Sequence, residues 1–402
     1  MKVKIDKLDH FGRGISYINK KICFIKNALP GEIINIKITK EKKKYLEGEV
    51  INYLNLSSNR IKEYCPYANI CGGCNLEHLS YEEENKYKKL KVQELIERFA
   101  KLNKDLVQDT TYNNEYYYRN KITLHQKNNE LGYYKETSND LISIKKCPLV
   151  NKKINEIISI LNKLPNKETI KKVIIRTSND EEKIMVKIIG TLENYNELLN
   201  KINVLIINNQ IISKEDKIIS KIGDKKYYVS IDSFFQVNQY LTEKLYDEVR
   251  FAITQYRPKK VLDLYCGTGT IGLYISDLVE SVIGIDCSEE GIKNAKKNKK
   301  LNNTSNIKFI CKKVEKAINS FKNDIDLIIV DPPRAGLDQN TITNIKRIAP
   351  KQIIYISCDP VTLSRDLSLL TNQYRIEYVK PYNMFPRTYH VENVSVLSRK
   401  EK

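Results

Sequence analysis

The 402-residue chain has no long apolar run. Lys, Asn and Glu interrupt its hydrophobic stretches, and none approaches the ~18 residues of a membrane-spanning helix. No membrane span is therefore expected. The first residues, Met1-Lys2-Val3-Lys4-Ile5-Asp6, include an acid and lack the apolar core of a secretory leader, so a cytosolic protein is expected. Internal repeats and low-complexity linkers are also missing, which argues against a repeat array. Acidic residues are in the minority, 49 against 68 basic, for a net charge of +19. Such an excess attracts polyanions. A composition rich in Lys, Ile and Asn produces the same excess, so charge alone does not decide for RNA.

What is present is nine cysteines, unevenly placed. In a cytosolic chain they argue for metal-binding or catalytic thiols over structural disulfides. Cys65, Cys71 and Cys74 cluster, Cys147 precedes a proline, and Cys358 stands apart.

At roughly 150 residues per domain, two or three domains are expected. Residues 1–56 read as short strands with turns at Gly12, Gly14 and Pro30-Gly31, which fits a small β-barrel. Residues 57–232 read as a central α+β domain. It opens with the cysteine loop and a charged helix over 81–102, with Leu90, Leu95, Ile96 and Phe99 on its apolar face. Strands are expected at 172–176 and 183–189, and helices at 151–162 and 194–202. Residues 233–402 become a βα alternation with strands at 260–264, 281–285, 307–310, 325–330, 352–356 and 394–398. That pattern predicts a parallel, doubly wound α/β domain of Rossmann-like type, with ligands at the strand carboxyl ends.

The strand Lys260-Val261-Leu262-Asp263-Leu264 runs into Tyr265-Cys266-Gly267-Thr268-Gly269 and a helix. Glycines there let the backbone approach a ligand, although dinucleotides use similar turns. Asp263 favours S-adenosylmethionine, whose amino-acid end is a zwitterion. Asp286, about twenty residues on, suits the ribose hydroxyls. The strand at 325–330 ends in Asp331-Pro332-Pro333-Arg334, a stiffened turn projecting an acid. The next ends in Ser357-Cys358-Asp359-Pro360, so Cys358 stands at the same edge. Carbon 5 of uracil is a poor nucleophile, and adding a thiolate to carbon 6 makes it an enolate carbon. A general base must then take the carbon 5 proton. Glu392, just before the last strand, is the leading candidate. The C-x5-C-x2-C set of Cys65, Cys71 and Cys74, with Cys147-Pro148, suits zinc or an iron–sulfur cluster. The Cys-Pro pair leans toward the latter.

With these motifs together, the chain resembles the RNA uracil-5-methyltransferases of the 23S ribosomal RNA and tRNA type over nearly its whole length. Gly12-Arg13-Gly14 and Ala28-Leu29-Pro30-Gly31-Glu32 resemble the RNA-binding TRAM barrel. The resemblance implies that Cys65, Cys71, Cys74 and Cys147 hold a [4Fe–4S] cluster. It implies cofactor contacts from Gln236, in Ser233-Phe234-Phe235-Gln236-Val237-Asn238, and from Asp263, Tyr265, Gly267, Asp286 and Asp331. Cys358 matches the family nucleophile, Glu392 its proton acceptor and Asp331 the acid of its DPPR motif. Glutamate is common in the family where Asp286 stands, which implies a shorter reach to the ribose. In relatives the helix after the cysteine loop packs on the catalytic domain. The barrel with a cluster favours 23S ribosomal RNA over tRNA as substrate, with a monomer and no obligatory protein partner.

Competing readings fit less well. A methyltransferase acting on an amino group of adenine or guanine typically carries an aromatic residue where Arg334 stands, and it has no need of Cys358. A radical methylthiotransferase requires a C-x3-C-x2-C motif that the sequence lacks. A non-enzymatic RNA-binding assembly factor leaves intact Cys358, Glu392 and Asp331 without a purpose.

Overall fold

A computed structural model describes residues 1–136 and 138–401. The short alternating runs of the first 55 residues form β1 (Lys2–Lys4), β2 (Lys7–Leu8), β3 (Gly14–Ile18), β4 (Lys21–Ile25), β5 (Ile33–Glu41) and β6 (Tyr45–Asn55). Their order across the sheet is β1-β5-β6-β4-β3-β2. The two edge strands, β1 and β2, are separated by only Ile5 and Asp6. The sheet must therefore curl back on itself, and a barrel results. The Ile5 amide donates to the Glu32 carbonyl and the Asp6 amide to that of Ile15, both at 2.9 Å, along the seam. Ile5, Cys23, Ile25, Ile34 and Ile36 fill the interior.

The charged helix forms as α1 (Tyr81–Leu95), followed by one wide turn at Ile96–Ala100. Its expected apolar face is half wrong. Leu95 and Ile96 are buried, but Leu90 is 55% exposed and Phe99 is exposed too. The buried stripe includes Glu84, Lys88, Lys91, Val92 and Leu95. Charged groups can be buried where partners satisfy them, and these find partners in the C-terminal half, so apolar periodicity misjudged the face.

The central residues form β7 (Lys121–Lys127), β8 (Glu130–Tyr134), β9 (Leu141–Ser143), α2 (Lys152–Lys163), β10 (Ile170–Thr177), β11 (Ile184–Gly190), α3 (Asn196–Leu199), β12 (Val204–Ile207) and β13 (Gln210–Ile211). The strands make one sheet, ordered β13-β12-β11-β10-β7-β8-β9. Ile154, Ile157, Ile158 and Leu161 of α2 join the core on one face of it. The helix expected at 194–202 shrinks to the single turn of α3. A hairpin, β14 (Ile218–Ile222) and β15 (Lys225–Val229), leads to the last part.

That part comprises α4 (Thr242–Tyr256), β16 (Lys260–Leu264), α5 (Thr270–Tyr274), β17 (Ser281–Asp286), α6 (Glu289–Leu301), β18 (Ile307–Cys311), α7 (Val314–Ala317), β19 (Leu327–Val330), α8 (Gln339–Ile348), β20 (Gln352–Ser357), α9 (Pro360–Leu370), β21 (Tyr374–Tyr382) and β22 (Glu392–Arg399). All four residues of β19 and all six of β20 are buried, as expected of central strands covered on both faces. The order is β18-β17-β16-β19-β20-β22-β21. The chain steps one way from β16 and the other way from β19, so the crevice between them is the topological switch point.

The sheet corrects the expectation of an all-parallel array. β22 runs antiparallel to both of its neighbours, and the strand 374–382 was not foreseen. Lys380-Pro381 near the end of β21 reads as loop in the sequence, and a proline there is tolerated because β21 is the edge of the sheet. Residues 107–111 partly cover that edge, with the Gln108 amide donating to the Val379 carbonyl at 2.9 Å. The reversal matters for chemistry. It brings the first residue of β22, not its last, to the edge where β16, β19 and β20 end.

Candidate active site

Asp331, Cys358 and Glu392 each owe their position to a strand end. Leu264 of β16 pairs with Val330 of β19, and Val330 with Tyr355 of β20. Asp331 therefore emerges beside Tyr265, and its amide lies 3.4 Å from the Leu264 carbonyl. Ser357 of β20 pairs with Asn393 of the reversed β22. One step further along this register, Cys358 comes opposite Glu392. The turn after Asp331 is braced from α9. Thr362 Oγ1 donates to the Arg334 carbonyl at 3.1 Å and Arg365 to that of Ala335 at 2.9 Å. The Asp366 carboxylate accepts from the Leu337 amide at 2.8 Å and the Tyr355 hydroxyl at 2.7 Å. Asp359 caps α9, accepting from the amides of Val361 and Thr362, which fixes the backbone after Cys358.

The electrostatics follow from burial among like charges. Glu392 is 4% exposed, and its carboxyl is held well above the usual range by burial and by Asp331. Burial lifts Asp331 to about 7. The Cys358 thiol is pushed up to about 12 by burial and by the carboxylates of Glu392 and Asp331, while Arg334 acts the other way. Burial and mutual repulsion thus raise all three groups together.

The turn after β16 forms a second cradle. Tyr265 adopts a left-handed backbone with φ 63°, rare for a bulky residue, and Gly267 and Gly269 are left-handed too. A Cβ on Gly267 would meet nothing within 4 Å, so the turn opens onto free space. The Gly267 amide donates to Asp286 Oδ2 at 2.9 Å, and the Ser288 amide to Oδ1 at 2.7 Å. Asp263 is fully buried. Its Oδ2 accepts from the Gly272 amide at 3.1 Å, whereas Oδ1 has no partner. Burial raises its pKa to about 8. An orphaned buried oxygen under an open glycine turn suits a cationic or hydrogen-bond-donating ligand. Gln236 is buried where the central sheet meets α4, and its carbonyl accepts from Asn120 Nδ2 at 3.1 Å.

Comparison with known proteins identifies the family. The profile of the tRNA (uracil-5-)-methyltransferases matches residues 80–400, and that of the TRAM domain matches residues 1–51. The chain belongs to the S-adenosylmethionine-dependent RNA uracil-5-methyltransferases. It is 34% identical to an uncharacterized RNA methyltransferase of Clostridium acetobutylicum, covering 100% of this chain and 97% of the relative. A relative of the same description from Staphylococcus aureus is also 34% identical, with 98% and 96% covered. Among solved structures, the tRNA (uracil-54, C5)-methyltransferase of Pyrococcus abyssi, in complex with S-adenosyl-L-homocysteine, superposes with a TM-score of 0.81. It is 25% identical, covering 99% of this chain and 100% of that one.

In this uracil-5-methyltransferase the clustered Cys65, Cys71 and Cys74 and the remote Cys147 line one cavity of about 620 Å³. Burial raises all four thiols, Cys65 to about 11. Among the described residues, no three His, Cys, Asp or Glu side chains are arranged to hold a single metal ion. The motifs did not mark Tyr246, which is buried on α4 and feels the charges of Asp331, Asp263 and Glu392. Its place in the buried stripe Leu245, Val249, Ile253 was a readable signal.

Proposed function

We propose that the chain methylates carbon 5 of a uridine in structured RNA through a covalent bond between Cys358 and carbon 6. The observation that carries this reading is the meeting of Cys358, Glu392 and Asp331 at one sheet edge, made possible by the reversed β22. The Cys358 thiolate adds to carbon 6, and the electron pair moves onto the uracil carbonyl as an enolate. Carbon 5 is then nucleophilic enough to take up a methyl group. S-adenosylmethionine, when bound, supplies that methyl on a sulfonium. Asp263, Tyr265, Gly267, Asp286, Gln236 and Asp331 would hold it. Glu392 removes the carbon 5 proton, the carbon 6–sulfur bond breaks, and its electron pair returns to Cys358. A carboxylate raised in pKa by burial is a stronger base than one in water, which suits Glu392 to this step.

The four cysteines are assigned to a [4Fe–4S] cluster. All four line one cavity, and thiolates are the ligands such a cluster takes. The methyl transfer above needs no electron, so the role given to the cluster is structural or in RNA binding. The substrate we favour is 23S ribosomal RNA, on the resemblance of a barrel joined to a four-cysteine set. The likeness to the Pyrococcus abyssi tRNA enzyme supports tRNA as the second reading. Mapping 5-methyluridine in total RNA from cells with and without the gene decides between them. Loss from a 23S position fits the first reading and loss from tRNA the second, while an unchanged map contradicts both.

A further inference from the structure

Between the barrel and the segment that carries Glu392, aromatic rings and one guanidinium form an unbroken series. The Arg13 guanidinium lies 4.3 Å from the centre of the Phe24 ring and 5.4 Å from that of Phe11. Phe11 meets Tyr389 edge-on at 5.4 Å, and Tyr389 lies 4.3 Å from His390. His390 stands two residues before Glu392. The series thus joins two parts of the chain nearly 380 residues apart.

Phe11 is the conspicuous member, since it is 55% exposed at a loop tip. The loop cannot collapse to hide it. Asp9 Oδ1 accepts from the amides of Phe11 at 2.9 Å and Arg13 at 2.8 Å, and its Oδ2 accepts from Arg13 Nε at 2.8 Å. Gly12 is left-handed, and a Cβ there would come within 2.8 Å of Leu76. Asp9 already neutralises Arg13, so its guanidinium serves the rings. Lys91, buried beneath Tyr389 with its ammonium 5.1 Å from the ring centre, holds that ring in place, and exposed Arg334 offers positive charge to a polyanion.

We propose that Phe11, with Tyr389 beside it, is a stacking subsite for an unpaired RNA base next to the target uridine. This rests on the RNA reading given above. Flipping a target out of its stack leaves its neighbour without a partner, and a rigid exposed ring one step from the catalytic segment supplies one. Stacking on a ring needs the base and tolerates any sequence, whereas phosphate attraction needs only charge.

The test uses the full-length protein and two probes, a fluorescent single-stranded decauridine and the same ribose-phosphate decamer without bases. Phe11→Ala should weaken decauridine binding about ten-fold. It should leave binding of the base-free decamer, S-adenosylhomocysteine binding and the urea unfolding midpoint unchanged. Phe11→Trp should bind decauridine at least as well as the wild type. Equal decauridine affinity for wild type and Phe11→Ala, or an equal loss on the base-free decamer, overturns the subsite. Neither result touches the methylation reading, which fails only if the wild type transfers no methyl group to RNA.

Discussion

At the scale of single residues, the chemistry depends on three groups whose pKa values the fold raises. Burial lifts Asp331 from 3.8 to about 7, so the folded chain binds this proton more tightly than the unfolded one. Stability from this group is complete below about pH 4 and is lost as pH rises through about 7. Asp331→Asn stays neutral throughout. Its urea midpoint should therefore exceed that of the wild type at pH 8 and converge with it near pH 4. A variant less stable than the wild type at pH 8 would contradict the buried charge. Removing that carboxylate also lowers the Cys358 pKa, because Asp331 is one of the two charges that raise it most. Iodoacetamide should accordingly alkylate Cys358 faster in Asp331→Asn than in the wild type at pH 8. That Cys358, Asp331 and Glu392 lie at strand ends was legible, because each adjoins an apolar strand or a rigid turn. Their protonation was not, since it depends on neighbours from other strands.

At the scale of elements, the strands of the catalytic sheet were legible because central parallel strands are continuous apolar runs. β21 and the reversal of β22 were not, because strand direction is set by pairing and leaves no periodic mark. α1 is the instructive failure. Glu84, Lys88 and Lys91 lie on one buried stripe and grip the segment leading to Glu392. Glu84 accepts from the Asn383 side chain at 2.8 Å and the Arg387 amide at 3.0 Å. Lys88 is fully buried, pairs with Glu84 at 2.9 Å and donates to the Phe385 carbonyl at 3.1 Å. Lys91 donates to the Tyr389 carbonyl at 2.8 Å. The helix thus holds this segment at intervals from Asn383 to Tyr389. Glu84→Gln leaves Lys88 and Arg387 without their shared anion, and should cost ~3 kcal/mol in urea unfolding, at the lower end for a broken buried pair. Leu90→Ser, on the face the sequence misjudged, should fall within about 0.5 kcal/mol of the wild type. Equal stability of Glu84→Gln and the wild type would show that the stripe does not hold the segment.

At the scale of the whole molecule, barrel, central sheet and catalytic sheet contribute to one region. The barrel presents Phe11 to Tyr389, and α1 grips the loop before β22. The central sheet supplies Lys121, with Arg119 just before it, to the wall of the cysteine cavity, which also includes Val237, the residue after Gln236. Joining of this kind over hundreds of residues could be foreseen only through the family resemblance, since no local pattern encodes it. Protein purified without oxygen should be brown and carry about four irons, as four cysteines ligating a [4Fe–4S] cluster require. Colourless protein with one zinc would assign the cavity to another metal. The covalent route is tested most directly by Glu392→Gln incubated with S-adenosylmethionine and RNA, then digested with nuclease and protease. Addition and methyl transfer should proceed, and release should fail for want of a base. Mass spectrometry should then find the peptide containing Cys358 carrying a methylated uridine nucleotide. An unmodified Cys358 peptide, from a variant that forms 5-methyluridine at the wild-type rate, would contradict the assignment of Glu392, and 5-methyluridine formed by Cys358→Ala would contradict the adduct itself.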